Sequence, residues 1–201
     1  MTGELNIRLY EWIHAGAGHQ PIVDGIAIFF AQAGPYLLGV LFIFFWFFSG
    51  ERRKIALLEA TEAAALGLLI NQFIGLFYFH PRPYMEGMGP PLIPHGPETS
   101  FPSDHATLIF TAGFYLLKAR GWAAPGILLL TLAILTAWGR VYSGVHFPLD
   151  MAGSMAVGLA SAGLIRRFAA RINRLNETLI QIAYRLTVRF VLRKSIGSRK
   201  D

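Results

Sequence analysis

Long apolar runs that do not alternate, separated by short polar turns, limit this chain to one kind of fold. They lie near Pro35–Ser49, Ile55–Phe79, Ser103–Lys118, Ala123–Arg140 and Pro148–Ile165. Hydrocarbon offers no water to backbone N–H and C=O groups. A segment that crosses a bilayer must therefore satisfy them within a helix or a closed barrel. Barrel strands alternate apolar and polar residues, and these runs do not, so they read as helices. Charge content agrees. Only 15% of the 201 residues are charged, against about 25% in soluble domains. The expected fold is all-α, a polytopic transmembrane helical bundle of about five spans with N-terminal interfacial helices. Several runs are close to 16 residues long, the short end of what crosses about 30 Å of hydrocarbon, so interfacial ends complete them.

Basic residues orient the bundle. The Gly50–Lys54 turn carries Arg52, Arg53 and Lys54, and the next turn on that side carries Lys118 and Arg120. With ten more between Arg166 and Lys200, fifteen of the eighteen basic residues fall on one side, leaving Arg8, Arg82 and Arg140 on the other. The crowded side is expected to be cytoplasmic. The same distribution decides what the net charge of +6 means. A basic segment after the last apolar run meets anionic lipid heads, and nucleic acid is not an expected partner. With no cysteine in the chain, disulfides and thiolate chemistry are excluded. Met1 to Gln20 has no basic segment followed by an apolar core, so no cleavable signal peptide is expected.

The first 34 residues do not read as a simple span. Ile22–Gly34 is apolar but about 13 residues long, too short to cross alone. Gly34-Pro35 is expected to break it from the first span. Leu5–Ala15 and Ile22–Ala33 are therefore expected as helices on the outer surface, the alternative being a sixth, strained span over Ile22–Gly34. The organisation expected is one membrane-embedded unit: 1–34 interfacial, 35–166 transmembrane core, 167–201 basic cytoplasmic tail. The connection from His80 to Pro102, rich in Pro and Gly, is the one long internal loop, and long ordered loops are usually functional.

Four helix ends point outward at one depth. They present Arg82, Ser103–His105, Arg140 and His146–Asp150. Two are helix N-termini, whose free N–H groups and positive dipole end favour an anion. Arginine adds a planar, permanently charged fork that matches phosphate oxygens. Pro102 and Pro148 are good helix starts. His146 and Asp150 are four apart across a helix start, a spacing that lets the carboxylate accept one imidazole N–H and leave the other nitrogen free as a nucleophile. His105 is placed to protonate a departing oxygen. Taken singly, Arg82 fits an interfacial anchor and Ser103 an N-cap. Together, at four same-side helix ends near membrane depth, they make a functional site. No cluster has metal-ligand spacing, so no metal and no cofactor is expected.

Arg82-Pro83, then Pro102-Ser103-Asp104-His105, then Gly139-Arg140 followed by His146 and Asp150, resemble the three signature motifs of the type-2 phosphatidic acid phosphatase superfamily. Pro-Ser-Asp-His, Phe79-His80-Pro81-Arg82-Pro83-Tyr84 and Leu92-Ile93-Pro94-His95 are similar to its bacterial undecaprenyl diphosphate phosphatases, the bacitracin-resistance branch. The resemblance implies that His146 is the nucleophile and forms a phosphohistidine. It makes Asp150 its orienting partner and His105 the general acid. Arg82, Ser103, Arg140 and backbone amides near Asp104 would hold the phosphate. It also implies a hydrolase of the bacterial inner membrane. Such an enzyme would take the terminal phosphate from undecaprenyl diphosphate at the periplasmic face, recycling the peptidoglycan carrier and conferring bacitracin resistance. The superfamily's first motif usually carries a lysine seven residues before the arginine, where this chain has Gly75. His80 and His95 are the candidates to stand in for it at the substrate.

The expected partners are a polyprenyl diphosphate lipid and membrane lipids, with no obligate protein partner. A phosphatase for another lipid, such as phosphatidylglycerophosphate, or a phosphotransferase to lipid A would use the same histidine chemistry. A non-catalytic lipid-diphosphate binder would need no His146–Asp150 pair, and a transporter would show inverted repeats. Other polar residues read as structural. Asn71 and Gln72 tie helices together, Glu59 and Glu62 face the cytoplasmic interface, Trp46 and Trp122 join interfacial belts, and His14 and His19 sit at the interface without a role.

Overall fold

The structure, a computed structural model, describes residues 3–197. Side chains are described as far as residue 182, except at 52, 174, 175, 179 and 180. Six α-helices account for the fold: α1 Glu4–His14, α2 Pro21–Phe48, α3 Glu51–Phe77, α4 Asp104–Lys118, α5 Ala123–Tyr142 and α6 Pro148–Gly197. No strand occurs among the described residues. Among the described residues four helices are long and apolar enough to cross a membrane: α2, α3 over Arg53–Phe77, α5, and α6 over Pro148–Asn173.

The shortest of the five bundle helices is the innermost. α4 has 15 residues and packs against α3, α5 and α6. Its Thr107, Ile109 and Thr111 are fully buried. Its neighbours, not lipid, cover it, so it need not span the hydrocarbon by itself. The outer helices show the complementary pattern. Phe44, Phe47 and Phe48 on α2 and Leu69, Phe73 and Leu76 on α3 are exposed apolar side chains, the surface expected of a lipid-facing helix.

The N-terminal segment differs from the sequence expectation. Ile22–Ala33 is neither a separate interfacial helix nor a sixth span. It is the first half of α2, which runs unbroken for 28 residues with Pro35 inside it. Proline removes one intrahelical N–H and frees the carbonyl four residues earlier. Here that carbonyl belongs to Ala31, and Arg140 Nη1 lies 3.5 Å from it, so the arginine faces the group that proline releases. Gly34 serves packing, not termination: an added Cβ would fall 2.3 Å from Thr136 Oγ1 of α5. Gly139 repeats this closeness from the other side, since its Cβ would meet Ala27 O at 2.6 Å. The α2 and α5 backbones touch there, and Arg140, the next residue, is pressed against α2.

Two other expected boundaries are crossed by helices. α2 runs through 34/35. α6 continues the last span through 166/167 as far as Gly197, so residues 167–197 of the expected tail are helical. Residues 198–201, with Arg199 and Lys200, lie outside the described residues.

α1 is a separate helix, as expected, but it is fastened over the segment that joins α5 to α6. Leu149 N–H donates to Asn6 Oδ1 at 2.9 Å. His14 Nδ1–H donates to the Tyr142 carbonyl at 2.7 Å, so His14 has a structural partner after all. Tyr10 stacks on His14 and meets Phe147. Its burial pushes the Tyr10 hydroxyl pKa up to about 12.

At the opposite end of the bundle Glu59 does not face the interface. It is buried, and with the Asn173 amide oriented to donate, Asn173 meets its Oε1 at 2.7 Å. Trp122 is likewise inside, edge-on to Phe45.

Candidate active site

The C-terminal ends of α3 and α5 and the N-terminal ends of α4 and α6 meet at one end of the bundle, closed by the 78–103 loop. The loop is stitched down by backbone bonds: Ser100 N–H to His80 O at 2.7 Å and Leu92 N–H to Ser143 O at 3.0 Å. Arg82 does the same with its side chain. Its guanidinium donates to the carbonyls of Glu98 at 3.2 Å, Thr99 at 3.1 Å and Val145 at 2.8 Å.

These bonds bring the groups expected from the sequence onto one imidazole. Arg82 Nη1 lies 3.1 Å from His146 Nε2, and Arg140 Nη2 lies 3.2 Å from the same atom. A guanidinium only donates, so Nε2 is the accepting, unprotonated nitrogen and the proton sits on Nδ1. On that side Ser100 Oγ lies 3.2 Å away and Asp150 Oδ2 3.4 Å away. The Ser100 hydroxyl donates to Asp150 Oδ2 through a short contact, which leaves its oxygen lone pairs to accept from His146. His146 and Asp150 are both buried. Burial holds the His146 pKa down, to about 3; the hydrogen bond to Asp150 opposes this, while Arg140 and Arg82 reinforce it. The imidazole is therefore neutral at physiological pH, the state in which Nε2 has a lone pair to give.

A cavity of about 520 Å³ opens in front of Nε2. His146, Arg82, Arg140 and His95 form one wall, and Asp104 and His105 another. This is within the usual range for a small-molecule site. His95 Nε2 accepts from Arg140 Nη2 at 3.0 Å, and its Nδ1–H donates to Gly96 O at 3.2 Å. Burial, and then the charge of Arg82, lower its pKa. Arg140 Nε has no hydrogen-bond partner, so this guanidinium keeps donor capacity that Arg82 has spent on the backbone.

The sequence profile of the PAP2 superfamily matches residues 56–174, a stretch that takes in every cluster just described. The chain belongs to the PAP2 superfamily. It is similar to a putative undecaprenyl-diphosphatase, YbjG, of Escherichia coli (strain K12), 34% identical over 79% of this chain and 80% of that protein. The undecaprenyl-diphosphatase BcrC of Bacillus subtilis (strain 168) is 29% identical over 89% and 91%. Among solved structures, LpxE of Aquifex aeolicus superimposes with a TM-score of 0.70 at 27% identity, covering 82% of this chain and 96% of that one. This PAP2 protein is thus an all-helical membrane phosphatase, and the superposition extends over most of both chains.

Within the PAP2 site two expected contacts lie elsewhere. Ser103 is fully buried, its N–H is taken by Ser154 Oγ at 2.9 Å, and it does not line the cavity. His80 also lies outside the cavity wall and is turned to Asp150, 3.2 Å from Oδ1. Of the two histidines expected to stand in for the missing lysine, only His95 reaches the cavity. Gly75 itself lines it, and a Cβ there would meet only Thr99 Cγ2, at 3.3 Å.

The sequence reading missed Ser100. Its position three residues before Ser103, inside the Ser-Phe-Pro-Ser run, was the available signal. Asn71 and Gln72 do tie helices, as expected: their amides donate to the Asp104 carboxylate at 2.8 and 3.2 Å. They also line the cavity. A pair of amides in the last turns of an apolar span, beside a motif carboxylate, was the signal for that second role.

Proposed function

We propose that this protein removes the terminal phosphate of undecaprenyl diphosphate, yielding undecaprenyl phosphate and inorganic phosphate. The observation that carries the reading is the meeting of Arg82 and Arg140 on the unprotonated Nε2 of a buried, neutral His146. The two undecaprenyl-diphosphatase relatives supply the substrate.

In the first step Nε2 attacks the terminal phosphorus as the bond from phosphorus to the bridging oxygen breaks. The arginines take up charge on the equatorial oxygens, and positioning and charge stabilisation do most of the work of phosphoryl transfer. His105, on the cavity wall, protonates the departing oxygen of undecaprenyl phosphate. In the second step a water loses its proton to His105 and its oxygen attacks the phosphohistidine, releasing phosphate and restoring His146. Asp150 accepts the Nδ1 proton in hydrogen-bonded form throughout. Phosphate release by the purified protein from a panel of lipid monophosphates and diphosphates tests the reading. Preference for the C55 diphosphate is the expected result. Preference for phosphatidylglycerophosphate, or transfer of the phosphate to another lipid, would replace it.

The fifteen basic residues against three and the positive-inside rule support a site on the periplasmic face of the inner membrane. There the product would re-enter cell-wall carrier use, and lowering the diphosphate pool would withdraw the target of bacitracin. The cysteine-free chain makes the topology simple to measure. A cysteine at Met85, in the site loop, is expected to react with a membrane-impermeant maleimide on intact cells. One at Arg120 is expected to react only after permeabilisation. The reverse pattern would put the chemistry in the cytoplasm.

A further inference from the structure

Asp150 is fully buried, and its two oxygens have different surroundings. Oδ2 receives the Phe147 N–H at 2.7 Å and the Ser100 hydroxyl, and lies 3.4 Å from His146 Nδ1. Oδ1 has one polar neighbour, His80 Nδ1 at 3.2 Å; both atoms are buried, and neither makes a hydrogen bond of good geometry to any group in this structure. His80 is held through both its backbone and its ring. Its backbone N–H donates to Thr99 Oγ1 at 3.0 Å and its backbone carbonyl accepts from Ser100 N–H at 2.7 Å. Its ring lies parallel to Tyr78 and tilted against Phe147. It is buried and outside the cavity wall, so substrate does not reach it.

We propose that His80 is a positioning residue for the phosphohistidine chemistry, its Nδ1–H holding Asp150 Oδ1 so that Oδ2 stays aligned on His146 Nδ1. A carboxylate fixed through one oxygen alone can turn about its Cβ–Cγ bond. One gripped through both cannot. The grip also has a chemical consequence. When Nε2 bonds to phosphorus, His146 becomes cationic and its Nδ1 proton is drawn toward Asp150. A second N–H donor on the carboxylate keeps it ionised and opposes that transfer, so the charge that stabilises the phosphorylated ring persists. The partner of a catalytic ligand can matter at about 10- to 100-fold when it is the group that orients it.

This inference rests on His146 as nucleophile, and the test separates the two. Wild type, His80→Ala, His80→Asn, His80→Phe and His146→Ala are compared in detergent, measuring kcat, KM and acid-labile phosphoenzyme by rapid quench. Asparagine keeps an N–H donor near the Nδ1 position; phenylalanine keeps the ring and its packing but donates nothing. The expected result is a fall in kcat of about 10- to 100-fold for alanine and phenylalanine with KM within about twofold of wild type, and substantial recovery with asparagine. Rescue by phenylalanine and not by asparagine would make His80 a packing residue. Wild-type kcat in His80→Ala and His80→Phe, or a loss confined to KM, would overturn the proposal. Should His80→Ala fail to fold, the asparagine and phenylalanine pair still decides. Phosphoenzyme surviving in His146→Ala would instead overturn the nucleophile reading.

Discussion

His146→Ala is expected to lose turnover by on the order of 10⁴-fold or more, the scale seen when a covalent nucleophile is removed. Its side chain is buried and both its nitrogens are engaged, Nε2 by two guanidiniums and Nδ1 by Ser100 and Asp150. Alanine removes the one nitrogen on which both guanidiniums converge. Binding should survive, because Arg82, Arg140 and His95 remain. The check is a paired measurement: single-turnover phosphate release, and retention of a labelled C55 diphosphate by the same sample. Turnover near wild type would remove the mechanism, while loss of binding and turnover together would mean that the substitution had collapsed the site.

The second large effect is expected at the arginines, and the two should not behave alike. Removing a preorganised charge contact from a transition state costs about 3–4 kcal/mol, or 10²- to 10³-fold. Lysine keeps the charge but lacks the planar fork. Arg140 touches the reacting nitrogen and has an unpartnered Nε, so Arg140→Lys should lower kcat/KM by that order with little loss of stability. Arg82 also holds three loop carbonyls. An ammonium cannot reproduce those contacts, so Arg82→Lys should cost activity and also lower Tm. Activity of the wild type is expected to withstand chelator, since the fixed positive charge comes from these side chains. Measuring kcat/KM and Tm for both variants, with and without chelator, checks all three expectations. Near-normal kcat/KM in both variants, or loss on chelation alone, would show that another cation holds the phosphate.

Much of the site was readable because its parts are short-range patterns. His146 and Asp150 are one helical turn apart, and Ser103, Asp104 and His105 start α4. Such spacings survive whatever the rest of the chain does. The facing of α3, α4, α5 and α6 ends also followed, since alternating spans return to the same side. Other features needed residues far apart in the chain. His80 was expected at the substrate as a stand-in for the missing lysine, but the direction of its side chain is set by the bonds that pin its backbone to Thr99 and Ser100. It meets Asp150 instead. Ser103 was expected at the phosphate from the family motif, and Ser154, 51 residues away, takes its N–H.

The division between sequence and structure is clearest at α2. Hydropathy and its lack of alternation determined that this chain is a helical membrane protein, because hydrocarbon allows only helices or closed barrels, and barrel strands alternate. The motif residues determined the family and gathered histidines, arginines and a carboxylate at one end of the bundle. Whether Gly34-Pro35 ended a helix was not decided locally. Glycine and proline can each end a helix or sit inside one, and their effect depends on what lies against them. Only the packed structure supplied Thr136 and Gly139 as close neighbours of α2, and Arg140 as the group facing the freed Ala31 carbonyl. A buried backbone acceptor needs a partner, and that requirement is met, or left unmet, by tertiary contacts that the order of residues does not display.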